Sequence, residues 1–149
     1  MFPIRKAHAG DAGRIAEIEI FNYRLNFYSI FRNDEYYFDE LQVTALTARY
    51  KTTPELLGNT FVYDDGVIKG FIRISGSHIE KLFVEPVLQG QHIGEKLLNF
   101  AVTEQGAESL WVLEKNTRAV AFYKRHGFSL TGEKKLEDDT TEYLLRMKR

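Results

Sequence analysis

Short runs of β-type residues alternate along the chain with stretches in which apolar positions recur every three or four residues, the pattern of an α/β domain. Phe2 to Lys6 reads as an opening strand, and Asp11 as the cap of a helix whose Ile15, Ile18, Ile20 and Phe21 supply an apolar face. Between Arg24 and Lys51, an irregular stretch carrying Phe27, Tyr28, Phe31, Tyr36, Tyr37 and Phe38 leads into a second helix that includes Leu46. Thr60 to Tyr63 is a strand, Asp64-Asp65-Gly66 has the chemistry of a hairpin turn, and Val67 to Ile74 is the returning strand. Phe128 to Thr131 and Thr141 to Met147 form a terminal antiparallel pair around the acidic turn Glu137-Asp138-Asp139.

Two segments between these elements carry the chemistry. In the first, the apolar run Leu82-Phe83-Val84 ends at Pro86, and Ile93, Leu97, Leu98 and Ala101 follow at helical spacing. The turn Gln89-Gly90-Gln91-His92-Ile93-Gly94 therefore sits at a helix N-terminus. Backbone N–H groups there lack intrahelical partners and the helix dipole is positive, so a phosphate or pyrophosphate is a favoured guest. Gly90 and Gly94 let it approach closely. Neither G-x-G-x-x-G nor a P-loop lysine is present, which leaves dinucleotide-binding and P-loop readings without support. In the second segment, Asn116 is an N-cap, Ala119, Val120, Phe122 and Tyr123 form an apolar stripe, and Gly127 stands at a C-cap, which predicts a helix from Thr117 to His126. At helical spacing Tyr123 is, on pattern alone, a core aromatic.

These two segments resemble the signature of the GCN5-related N-acetyltransferases (GNAT), Q/R-x-x-G-x-G/A followed downstream by N-x-x-A-x-x-F/L-Y-x-x-x-G-F. Gln89, Gly94, Asn116, Ala119, Phe122, Tyr123, Gly127 and Phe128 match. His92 departs, standing where the family usually has its first turn glycine; read as a helix N1 or N2 position, it needs no positive φ. Ser75-Gly76-Ser77-His78-Ile79-Glu80-Lys81-Leu82-Phe83-Val84-Glu85-Pro86 is similar to S-G-x-H-[IM]-[ED]-x-L-F-[VI]-[ED]-P of small bacterial acetyltransferases. The resemblance covers Gly66 to Arg149. It implies a mixed, mostly antiparallel sheet of six or seven strands with about four helices, in the order β-α-α-β-β-β-α-β-α-β-β.

The resemblance further implies acetyl-CoA as co-substrate and direct transfer of its acetyl group to a primary amine. Tyr123 falls on the family's acid that protonates the departing thiolate. His78 and Glu80, two apart on one strand and so on one face, fall where relatives place a base; Glu114 is a third candidate. The acetyl-CoA site implied comprises Leu82, Phe83 and Val84, whose backbone pairs with pantetheine beside a splayed neighbouring strand, then Gln89, Gly90, Gln91, His92, Ile93, Gly94 and Glu95, and Asn116, Ala119, Phe122 and Tyr123. Tyr23, Tyr28, Tyr36, Tyr37, Asp34, Glu35 and Asp39 are candidates for the acceptor pocket, for which a small-molecule amine and a peptide amine both remain open. A non-catalytic acyl-CoA sensor or partner module is the alternative to an enzyme.

Composition narrows the classes. The 149 residues, 44% apolar and 13% aromatic, suit one domain spanning residues 1–149. A net charge of −1 gives no footprint for nucleic acid or an acidic membrane. With no apolar run of spanning length and no signal-peptide pattern, the expectation is a cytoplasmic protein, monomer or homodimer. The absence of cysteine excludes disulfides, thiolate metal sites and a cysteinyl acyl-enzyme. His8, His78, His92 and His126 have no metal-ligand spacing, so no metal is expected.

Overall fold

The computed structural model describes residues 3–149. It contains strands β1 (Ile4–Lys6), β2 (Thr60–Asp64), β3 (Ile68–Ser75), β4 (His78–Val84), β5 (Ser109–Leu113), β6 (Ser129–Leu136) and β7 (Tyr143–Lys148). Its helices are α1 (Ala12–Asn22), α2 (Tyr28–Phe31), α3 (Val43–Thr52), α4 (Pro54–Gly58), α5 (Ile93–Gln105) and α6 (Thr117–Arg125). Phe2, expected in the first strand, lies outside the described residues. The four longer helices and the strands follow the expected order, and α2 and α4 are short additions.

The strands form one seven-stranded sheet in the order β1-β2-β3-β4-β5-β7-β6, antiparallel throughout except where β4 meets β5. Alternation along the strands sends side chains to two faces. On one face Ile72, Ile74, Ile79, Leu110, Val112 and Met147 pack against the stripe of α5, whose Ile93, Leu97, Leu98 and Ala101 are all buried as the periodicity predicts. On the other, Val62 and Phe71 pack against Ile15 and Ile18 of α1 and Tyr50 of α3. Central β3 is covered on both faces, and at Gly70 it has no room for a side chain: a Cβ would lie 2.9 Å from the Phe83 carbonyl oxygen and 3.2 Å from Leu97 Cδ1. That contact lets α5 lie close against the sheet.

Two local expectations are corrected. Asp11 stands at the N-cap position of α1 but makes no capping bond. Its carboxylate is taken by the Arg5 guanidinium at 2.8 and 3.0 Å and by the His8 backbone N–H at 2.9 Å, because a bidentate bond between two ionised groups outcompetes a single backbone N–H. The irregular stretch after α1 is largely helical, with π-helical turns at Tyr23–Phe27 and Tyr36–Glu40. The wider first turn brings Tyr23 and Phe27 edge-on to Phe83 of β4, with ring centroids 5.5 and 6.4 Å away.

Candidate active site

The β4–β5 ladder holds at His78–Ser109 and Ile79–Leu110 and then stops, so the two strands diverge in the middle of the sheet. Leu82, Phe83 and Val84 remain paired to β3 on their other side. Their amide groups do not all face the gap. Antiparallel pairs alternate, and the Glu85 N–H bond to the Lys69 carbonyl sets the parity, so the Phe83 groups belong to the β3 ladder. Only Leu82 and Val84 turn theirs toward the gap, and the Val84 carbonyl already accepts from Asn22 Nδ2 at 2.9 Å and Gln89 Nε2 at 3.3 Å. The expectation that all three backbones are free is thereby reduced to Leu82 and the Val84 N–H.

A groove of about 510 Å³ runs from this gap between the N-terminus of α5 and α6. Every residue expected to bind the co-substrate lines it except Gln91. The first intrahelical bond of α5 is Lys96 N–H to the His92 carbonyl, which leaves the N–H groups of Ile93, Gly94 and Glu95 without helical partners at the groove. His92 is the N-cap, and its backbone is left-handed at φ 65°, ψ 15°. The expectation that this position needs no positive φ is therefore wrong. The family's glycine suits the turn for a conformational reason, and His92 adopts it with its side chain out in solvent, 3.1 Å from Glu95.

Asn22, Asn26, Arg118, Arg125 and His126 also line the groove and were not anticipated. Asn22, on α1 and 2% exposed, accepts from Gln89 at 3.3 Å, and Gln89 in turn accepts from Arg118 at 3.3 Å. The signal for Asn22 was present: with Ile15, Ile18 and Glu19 it lies on the buried stripe of α1, where a polar residue requires a partner.

On α6, Asn116 caps the helix by accepting from the Ala119 N–H at 3.3 Å. The other end is a Schellman turn: Gly127 at φ 92° lets the Phe128 N–H reach the Tyr123 carbonyl at 3.0 Å and its own N–H reach that of Lys124 at 3.3 Å. Phe128 folds back against the Tyr123 ring at 5.8 Å, and Phe122 packs on it at 5.3 Å. Tyr123 is thus held at backbone and ring. It is 9% exposed, and it borders both the groove and a second cleft. Burial alone pushes its phenol well above the usual tyrosine range, and among the described residues no side-chain hydrogen bond engages the hydroxyl.

The second cleft, about 720 Å³, opens on the other side of the gap. Tyr23, Tyr36 and Tyr37 line it, as expected, whereas Tyr28, Asp34, Glu35, Asp39 and Glu114 do not. Glu40, Glu80 and the turn Glu137-Asp138-Asp139 supply its carboxylates. Glu80 and His78 part company here. A bulge in β4 leaves Glu80 as the extra residue between Ile79, paired with Ile74, and Lys81, paired with Arg73. Glu80 lines the cleft with its carboxylate 3.5 Å from Arg73 Nε. His78 lies at the start of the strand, outside the lining, with Nδ1 3.2 Å from Ser109 Oγ. Burial, then the Arg146 charge, holds its pKa below the usual histidine value.

Behind the cleft wall lies a buried ionic cluster. Glu19, 4% exposed on α1, accepts from Lys81 Nζ and the Tyr23 hydroxyl, each at 3.0 Å, and from the Tyr50 hydroxyl. Arg73 Nη1 donates to Tyr50 at 2.8 Å, so the cluster runs from Glu19 to Glu80. The buried charges of Glu19 and Arg73 are each matched by a more exposed partner of opposite sign, Lys81 and Glu80.

No group of three or more His, Asp or Glu side chains among the described residues is placed to hold a metal ion, and no helix among them is long and apolar enough to cross a membrane. Residues 57–130 match the model of the acetyltransferase (GNAT) domain. The chain is 41% identical over 69 residues to the peptidyl-lysine N-acetyltransferase YjaB of Salmonella typhimurium, covering 46% of this chain and 48%, about half, of that relative. With the protein of the same name from Escherichia coli it is 32% identical over 102 residues, 62% of this chain and 69% of the relative. The solution structure of apo-form YjaB from Escherichia coli superposes with a TM-score of 0.76 at 24% identity, covering 97% of this chain and 95% of that one. The PaiA N-acetyltransferase of Thermoplasma acidophilum in complex with coenzyme A gives 0.71 at 20% identity, with 98% of each chain covered. With the signature residues gathered around one open ladder, and with these sequence and fold matches, the chain belongs to the GNAT family of acetyl-CoA-dependent N-acetyltransferases.

Proposed function

We propose that the protein transfers the acetyl group of acetyl-CoA directly to the side-chain amine of a lysine within a peptide or protein. The observation that carries this reading is that two clefts, one on each side of the β4–β5 gap, meet at Tyr123. In the groove, the free N–H groups of Ile93, Gly94 and Glu95 receive the pyrophosphate, and Arg118 and Arg125 add positive charge. The pantetheine amides pair with the Leu82 carbonyl and the Val84 N–H, so the thioester arrives at the gap beside Tyr123 and the Leu82 N–H. In the opposite cleft, carboxylates and the rings of Tyr36 and Tyr37 suit a cationic side chain carried on a larger chain. The YjaB relatives' name, peptidyl-lysine N-acetyltransferase, favours lysine over a free small amine.

A lysine ammonium has a reference pKa of about 10.4, so it must lose a proton before attack. Glu80, bordering the cleft, takes that proton, directly or through one water, while His78 outside the lining does not. The nitrogen then bonds to the thioester carbon, and the Leu82 N–H, which faces the gap, stabilises the oxyanion. Collapse breaks the carbon–sulfur bond, the Tyr123 hydroxyl gives its proton to the leaving thiolate, and the nitrogen passes its second proton, directly or through water, to the phenolate left behind. A phenol kept protonated by burial suits that role.

The test is thiol release from acetyl-CoA with lysine peptides, amino-terminal peptides, free amino acids and small polyamines as acceptors; having no cysteine, the protein gives no background. Release with lysine peptides that disappears when the lysine is blocked supports the reading. Release with small amines alone refutes the peptide acceptor, and acetyl-CoA binding with no release for any amine refutes catalysis in favour of an acyl-CoA-binding module.

A further inference from the structure

On the face where α1 and α3 cover β2 to β4, the sheet beyond β4 is open: every residue of β6 is exposed. Register places one group of side chains on that open face. Trp111 of β5 stands directly opposite Arg146 of β7, and Lys135 of β6 is opposite Leu144, two residues from Arg146 and so on the same side. The Arg146 guanidinium lies 5.3 Å from the Trp111 ring and the Lys135 ammonium 4.5 Å from it. The indole is flanked by two cations that lack a carboxylate partner among the described residues, and Arg146 Nε is buried with no hydrogen bond. A buried donor left unsatisfied is costly unless something supplies an acceptor to the group.

The surface is continuous with the acceptor cleft, because Trp111 and Leu144 also line that cleft. We propose that Trp111, Arg146 and Lys135 form a docking surface for an acidic side chain of the acceptor protein, about three residues from the lysine to be acetylated. This rests on the peptidyl-lysine reading and specifies its substrate class. The spacing follows from the sheet. Glu80, one residue past the last β4–β5 pair, and Arg146 are two strands apart at about the same level, about 10 Å or slightly more once the strands begin to part, and an extended peptide covers about 3.3 Å per residue. The aromatic between the cations supports the peptide chain, and the cations hold their ammonium and guanidinium groups out for a carboxylate. Positive charge here also separates the two halves of the recognition surface: the cleft with Glu80 and the Glu137 turn takes the lysine, and the open face takes its acidic neighbour. Burial is the main cause of the lowered proton affinity of His78, and Arg146 and, more weakly, Lys135 add to it against the opposing Glu80.

The experiment compares acetylation of end-capped peptides with one lysine, in which a single glutamate is moved along an otherwise neutral sequence and each is paired with its glutamine counterpart. For the wild-type chain, kcat/KM should favour glutamate by about fivefold at a separation of about three residues and less elsewhere, the size expected of a partly exposed ion pair. That preference should fall as salt is raised. In Lys135→Gln, an exposed edge-strand change that leaves the core untouched, the ratio should drop, and in Arg146→Gln it should approach one. Acetylation with no dependence on glutamate position, or a preference that survives in both variants, overturns the docking surface alone. No acetylation of any lysine peptide overturns the peptidyl acceptor and the docking surface with it.

Discussion

Replacing Tyr123 by phenylalanine isolates one hydroxyl in an otherwise fixed environment. The ring is held by Phe128 and Phe122, and the backbone by the Schellman turn at Gly127, none of which involves the oxygen. Since no side-chain hydrogen bond is lost, the change in folding stability should stay within about 0.5 kcal/mol. Tyr123→Ala is a poorer probe, since deleting a buried aromatic costs about 3 kcal/mol or more. If the hydroxyl protonates the thiolate, kcat should fall at least about a hundredfold, equivalent to about 2.7 kcal/mol in the barrier, with acetyl-CoA affinity unchanged. Thermal melts, equilibrium binding of acetyl-CoA and thiol release under saturating substrates measure the three quantities separately. Because burial raises the phenol's pKa, the wild-type rate should also show no loss from its ionisation up to at least about pH 10, the ordinary tyrosine value. An unchanged kcat, or a loss of rate that tracks loss of stability or of binding, would falsify the assignment.

Glu80→Gln should remove the acidic limb of the kcat/KM profile and lower the rate about a hundredfold, whereas His78→Gln should leave that limb in place; the opposite result would move the base to His78. His78 has a second readout in stability. With its folded pKa lowered, the unfolded chain binds the proton more readily, so stability is lost as pH falls below about 6.5 toward the folded value, and His78→Gln should weaken that loss in pH-dependent melts. Gly94→Ala should fold normally, because a Cβ there meets only Val84 and Phe122 at 3.7 and 3.8 Å, yet weaken acetyl-CoA binding by about tenfold, because the methyl projects into the groove; full affinity in calorimetry would remove Gly94 from the site. Glu19→Leu should destabilise the chain by about 3 kcal/mol by removing the carboxylate that accepts from Lys81, Tyr23 and Tyr50, and a denaturant midpoint near that of the wild type would show that the cluster contributes little.

Features determined by neighbours in sequence were readable from it. The α5 stripe, the Asn116 cap and the Gly127 terminus each depend on residues within a few positions, and all appear as the pattern predicts. Strand β5 was reached only through the family resemblance, since Ser109–Leu113 is a short run buried with little alternation, which carries no period of its own. The π-turn at Tyr23–Phe27 has the residues of an ordinary helix, and its extra width goes with the packing of Tyr23 and Phe27 on Phe83, far away in sequence. The same holds for the bulge at Glu80, which separates two residues that look equivalent by alternation, and for the contacts of Asn22 with Val84 and Gln89. At His92 the sequence showed the departure from glycine but not the left-handed backbone beneath it.

The interrupted ladder between β4 and β5 also bears on how long the protein survives. When the groove is empty, the outward amide groups of Leu82 and the Val84 N–H depend on water in the middle of the sheet, between two of its inner strands. A ligand whose amides pair there behaves as a missing strand that is never covalently joined. It binds the native chain and not the unfolded one, so at a hundred times its dissociation constant it adds about 2.7 kcal/mol to the folding free energy. Because those amides belong to pantetheine, free coenzyme A should protect the chain against unfolding and proteolysis as acetyl-CoA does, so resistance should follow the total coenzyme A supply while turnover follows the acetylated fraction.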